Sequence, residues 1–193
     1  MEQDTISSTG TINVSKLLRT LLSIIGEDPN REGLLETPKR IIKSWGTLFS
    51  GYGKDSKEVF KTFDLEEYDE MVLIKNIEFY STCEHHMLPF FGKAHIAYIP
   101  KNKTKVIGAS KLARLLEIYS RRLQIQERLT KQITSDIMTY LDAKGAGCVI
   151  EAQHLCMMAR GIQKQNSIMV TSSLEGCFKD LSVRTEFLTL VRS

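Results

Sequence analysis

From Met71 to Pro100 the chain reads MVLIKNIEFYSTCEHHMLPFFGKAHIAYIP, and this stretch decides the fold. Apolar and polar residues alternate loosely over Met71–Ser81 and again over Lys93–Pro100, the period of strands with one buried face. Thr82–Gly92 joins the two predicted strands. Cys83 and His86 stand three residues apart where the first strand runs into that connection. A turn there can fold both side chains back toward one ion, which is why such spacing recurs in zinc sites.

Toward the N-terminus the period lengthens. Val14, Leu17, Leu18, Leu21 and Ile25 recur at helical spacing, and Gly26 with Asp28-Pro29-Asn30 ends that helix. Thr37 is placed to cap a second helix with Pro38 at its first position, carrying the stripe Ile41, Ile42, Trp45, Leu48 and Phe49. Residues 1–12, rich in Ser, Thr and Gly, read as a flexible tail. Residues 13–66 read as an N-terminal helical region, and 67–193 as the main domain. Toward the C-terminus helical spacing returns at Leu112, Leu116, Tyr119 and Leu123, then at Ile133, Ile137 and Leu141. Ser110–Leu141 is long for one globular helix, so a break is expected near Arg121–Gln126. Gly147–Met158, Ser167–Leu174 and Val183–Val191 read as further strands. The sum is an α+β chain with an antiparallel sheet.

The 26 basic and 23 acidic residues leave a net charge of +3, without the clustered excess of a nucleic-acid binder. No apolar run approaches the ~18 residues that a membrane span needs, and the first residues lack the pattern of a signal peptide. A reducing cytoplasm is therefore expected, with the four cysteines as thiols or metal ligands. Lys101, Lys103 and Lys105 read as a solvated basic turn.

One Cys-x-x-His pair does not complete a metal site. Further donors come from Cys148, His154, Cys156, Cys177 or His95. On a strand, His154 and Cys156 share a face. Cys148 shares it too, but eight residues at ~3.3 Å each put it roughly 26 Å from Cys156, too far for one ion. Cys83, His86 and Cys156 make three donors, the count of a catalytic zinc with one open position; Cys177 is the residue that could close it.

Four stretches carry a resemblance. Cys83-Glu84-His85-His86-Met87-Leu88-Pro89-Phe90 is similar to the first signature of the GTP cyclohydrolase I family. Ile107–Arg114, Gln124–Thr130 and His154–Gly161 resemble its later ones, in the same order, and the likeness runs from roughly Pro29 to the C-terminus. It implies the tunnelling fold, a four-stranded antiparallel sheet with two helices on one side. It also implies sheets joined edge to edge in a homodecamer, with active sites at subunit interfaces. By the same likeness the zinc ligands are Cys83, His86 and Cys156, and the reaction is hydrolysis of GTP at purine C8, yielding formate and 7,8-dihydroneopterin triphosphate.

Residue roles follow from that chemistry. Zinc lowers the pKa of bound water to ~7 and so makes a nucleophile. Opening the purine needs a proton delivered to nitrogen, a task expected of His154, with His85 as the second acid–base residue or a support of the metal shell. Glu127 is expected to read guanine, since a carboxylate accepts from the ring N–H and the exocyclic amine together, with Gln126 beside it. Ser110, expected as a helix cap, Lys111, Arg114 and Arg160 are expected to bind the triphosphate. Two rivals are a related enzyme using a free cysteine as nucleophile, and a non-catalytic module whose zinc is closed by Cys177.

Overall fold

The computed structural model describes residues 13–64, 68–101 and 105–193. The expected tail and Lys103 of the basic turn lie outside the described residues. Two compact units are present, one ending at Leu48 and one spanning Phe49–Ser193.

The first unit holds α1 (Val14–Ile24) and α2 (Thr37–Leu48), which pack on each other. Asn13 caps α1, its side chain accepting from the Lys16 amide at 2.9 Å. Thr37 lies inside α2 rather than capping it: the Arg40 amide donates to the Glu36 carbonyl, one residue earlier.

In the second unit the chain runs β1 (Thr62–Asp64), β2 (Val72–Cys83), β3 (Pro89–Ile99), β4 (Lys105–Ile107), α3 (Ala109–Ser120) and β5 (Leu123–Gln124). It continues through α4 (Gln126–Tyr140), β6 (Gly145–His154), a single helical turn α5 (Leu155–Met158), β7 (Met169–Gly176) and α6 (Leu181–Arg192). β1 and β4 form a small antiparallel pair, and the main sheet has the order β5-β2-β3-β6-β7. β2, β3, β6 and β7 are antiparallel neighbours, while the two-residue β5 joins the end of β2 in parallel. The sheet is therefore mixed, with an antiparallel body.

Parity along the strands separates two faces. Phe79 and Cys83 of β2, Phe90, Ala94, Ile96 and Tyr98 of β3, and Cys148, Ile150 and Ala152 of β6 lie in the main core. Leu112, Leu115 and Leu116 of α3 cover that face together with Leu129, Ile133 and Ile137 of α4. Ala97 and Val149 point the other way and pack with Phe178 and Phe187.

Three further expectations are corrected. Val183–Val191 lies in helix α6, because Val183, Phe187 and Val191 recur every four residues and pack on the second face as one stripe. β6 stops at His154, and Leu155–Met158 closes a helical turn through the Ala159 amide bonding the Leu155 carbonyl at 2.9 Å. Thus His154 and Cys156 do not share a strand face. Gly108 rather than Ser110 occupies the cap position of α3, and Ser110 falls in its first turn.

Candidate metal centre and active site

Cys83 ends β2, and the backbone turns back on itself at once. The Cys83 amide donates to the Leu88 carbonyl at 2.9 Å, and the Met87 amide donates to the Cys83 carbonyl at 2.8 Å. Met87 takes a left-handed conformation, φ +52°, to close this loop. The turn folds His86 beside the cysteine, with Nδ1 3.9 Å from Sγ. A bidentate ion pair between Glu84 and Arg128 anchors the turn to α4, and the Glu84 amide donates to the Gln124 carbonyl at 3.0 Å.

The third donor arrives through sheet register. Thr82 is opposite Pro89, and Phe90 is opposite His154, so the end of β6 lies beside the turn. The helical turn that follows delivers Cys156. The ligand atoms of Cys83, His86 and Cys156 all lie within 4.8 Å of one another. Donors bonded at ~2.0–2.3 Å to one tetrahedral ion stand roughly 3.3–3.8 Å apart. Two thiols and an imidazole at this spacing fit a zinc-type ion with little adjustment. Burial, and then the neighbouring Cys83 thiol, pushes the Cys156 thiol above its ordinary range, so a metal there must displace protons. Cys177 is not part of this group: its side chain packs with the second-face cluster. Cys148 is fully buried opposite Ile96, and burial pushes its thiol far upward.

His154 stacks on Phe90 with ring centroids 4.6 Å apart and planes 3° from parallel. Its Nε2 lies 2.8 Å from Gln126 Oε1. Burial holds the imidazole below the ordinary histidine range, with Glu127 pulling the other way. His85 is exposed, 3.9 Å from the Glu84 carboxylate. The predicted break falls between α3 and α4, so Gln126 and Glu127 open a new helix. Glu127 is exposed and makes no hydrogen bond or ion pair among the described residues. Gln126 is 1% exposed, its side-chain amide bonded to Ile150, Met169, Thr171 and His154.

Lys111 and Arg114 line a cavity of about 370 Å³ with Lys54, Asp55, Glu58 and Glu117. None of Cys83, His86, Cys156 or His154 lines it. Arg160 is exposed just past α5, one guanidinium nitrogen 3.3 Å from the Cys156 carbonyl.

With this geometry in view, a family profile of GTP cyclohydrolase I matches residues 14–192. The chain belongs to the GTP cyclohydrolase I family. Among curated relatives, GTP cyclohydrolase 1 of Wolinella succinogenes is 54% identical over 183 residues, 94% of this chain and 97% of that protein. GTP cyclohydrolase 1 of Campylobacter jejuni subsp. jejuni is 53% identical over 178 residues, 91% of this chain and 93% of its own. That of Chlorobium phaeovibrioides is 53% identical over 182 residues, 93% of this chain and 81% of its own. Sequence reasoning in family terms missed Phe90 as the platform for His154, and Arg128 as the anchor of the Cys83–His86 turn. Both depend on strand register and the placement of α4, which no local pattern encodes.

Proposed function

We propose that this chain is a zinc-dependent GTP cyclohydrolase I, opening GTP at purine C8 to give formate and 7,8-dihydroneopterin triphosphate for pterin and tetrahydrofolate synthesis. The observation that carries the reading is the Cys83, His86 and Cys156 cluster, three donors within 4.8 Å built from the family's own motifs. Bound there, zinc supplies the Lewis acidity that makes water nucleophilic near neutral pH. Three protein donors leave one position open, as a hydrolytic site requires.

The chain's own residues do the rest. His154, fixed between Phe90 and Gln126, delivers a proton to the purine nitrogen as the ring opens. His85, exposed next to His86, is a second proton carrier or a support of that ligand. Glu127 accepts from the guanine ring N–H and amine, a donor pair that adenine lacks. Ser110 and Lys111 in the first turn of α3, with Arg114 and Arg160, take the triphosphate, since free amides at a helix start and guanidinium forks both favour phosphate. A free-thiol nucleophile is the weaker reading, because burial pushes the Cys156 thiol up rather than down.

The Lys111–Arg114 cavity and the metal cluster share no lining residue, which supports an active site assembled from more than one subunit. We read the sheet and its α3–α4 layer as a tunnelling fold, in a decamer with sheets joined edge to edge. A helical N-terminal region stands before the catalytic one. No described helix is long and apolar enough to cross a membrane, and the four cysteines are free thiols, in keeping with a cytoplasmic home. Incubation of purified protein with GTP, following formate and the fluorescent oxidised neopterin, tests the activity. Formate without added GTP dependence, or none at all with zinc present, removes the reading.

A further inference from the structure

Gln126 sits at the head of α4 with its side chain buried, and every polar atom around it has a definable direction. Its amide nitrogen lies 2.9 Å from the Ile150 carbonyl, 3.0 Å from the Met169 carbonyl and 3.1 Å from Thr171 Oγ1. Carbonyl oxygens only accept, so the NH2 group must face them. The amide oxygen therefore faces His154 Nε2, 2.8 Å away. The hydroxyls agree with this assignment. Thr130 Oγ1 donates to the main-chain carbonyl of Gln126 at 2.7 Å, so toward Thr171, 2.6 Å away, it can only accept. Thr171 then spends its proton on Thr130 and presents a lone pair to the Gln126 NH2.

The two protons of the NH2 group are shared among these three acceptors, so its donors are committed and the amide oxygen is left pointing at the imidazole. We infer that Gln126, oriented by the Ile150 and Met169 carbonyls together with Thr171, is a positioning residue that holds His154 in the Nε2–H tautomer and leaves Nδ1 as the ring nitrogen for chemistry. This rests on the catalytic role proposed for His154 and names the atom and the device behind it. A neutral imidazole carries one proton, and a carboxamide oxygen accepts it at Nε2 alone. Nδ1 makes no hydrogen bond among the described residues. Stacking on Phe90 resists the ring flip that would exchange the two nitrogens. A proton handed to the opening purine leaves Nδ1 of the imidazolium, the purine nitrogen gains it, and the ring returns to the Nε2–H form. Gln126 belongs, on this reading, to the catalytic support rather than to guanine binding.

The test is nitrogen NMR on the full-length, zinc-loaded protein labelled with 15N-histidine; only four histidines contribute, and His154→Ala assigns the signal. Wild-type protein is expected to show a protonated Nε2 and an unprotonated Nδ1. In Gln126→Leu that single tautomer is lost and kcat falls about 10–100-fold, while zinc content and KM for GTP hold. Thr171→Val, a smaller change that covers the case of a Leu variant that does not fold, shifts both readouts in the same direction by less. A protonated Nδ1 in wild type, an unchanged tautomer in the variants, or a raised KM with unchanged kcat overturns the inference. His154→Ala with wild-type turnover would instead remove the underlying catalytic role, so the two failures are distinct.

Discussion

Cys83 illustrates how much of this site is backbone. Its amide and carbonyl close the turn that carries His86, and Met87 accepts a left-handed conformation costing on the order of 1 kcal/mol so that the loop can form. Cys83→Ser and Cys156→Ser are expected to lose zinc and activity together, as read by metal analysis and formate release. His154→Ala is expected to keep zinc and lose most turnover. Glu127→Gln replaces two acceptor oxygens with one and adds a donor, so GTP should lose about 100-fold or more in kcat/KM. The same variant should discriminate less between GTP and inosine triphosphate, which lacks the exocyclic amine. Equal discrimination by variant and wild type would take Glu127 out of base recognition.

Between elements, the register of β3 on β6 is what sets Phe90 against His154. Gly92 permits that register: a Cβ there would stand 1.9 Å from the Glu151 carbonyl oxygen, which is backbone and cannot swing away. Gly92→Ala is expected to cost about 1–3 kcal/mol in chemical denaturation and to weaken zinc retention with it. The sheet's alternation and the helix break before Gln126 were legible in the sequence, since both are changes of period. α6 was not, because its β-branched residues read locally as a strand while packing of its Phe187 on Phe178 decides for helix. Nor was α5: Leu155–Met158 continues the apolar run of β6, and only the turn's own hydrogen bond ends the strand. The three candidate metal donors were legible through spacing and resemblance, although Cys156 reaches the cluster from a helical turn and not along the strand face first expected. For Gln126 only a place beside Glu127 was legible, because its partners on β6 and β7 are distant in sequence.

At the scale of the whole molecule, stability and assembly come into play. His95 is buried on β3, its Nδ1 facing the Asn76 amide at a bulge where Asn76 has φ +60°. Burial lowers its affinity for a proton, opposed by Glu151 and aided by Lys75 and Lys93. The unfolded chain therefore binds a proton first as pH falls, so stability present above the ordinary histidine pKa, ~6.5, is lost below it. Thermal melts of wild type against His95→Gln should show a shallower acid slope in the variant. If the active site spans subunits, mixing inactive Cys156→Ser chains with inactive Lys111→Ala/Arg114→Ala chains should restore part of the activity. Each defect then falls in a different copy, and some shared sites carry neither. No recovery after subunit exchange would place both halves within one chain.

The most direct test of the account is a zinc titration of metal-stripped protein, read as formate released from GTP. The account predicts no formate at zero zinc, a rise that levels off at one zinc per chain, and no response in Cys156→Ser. Full formate release from the stripped protein would contradict it.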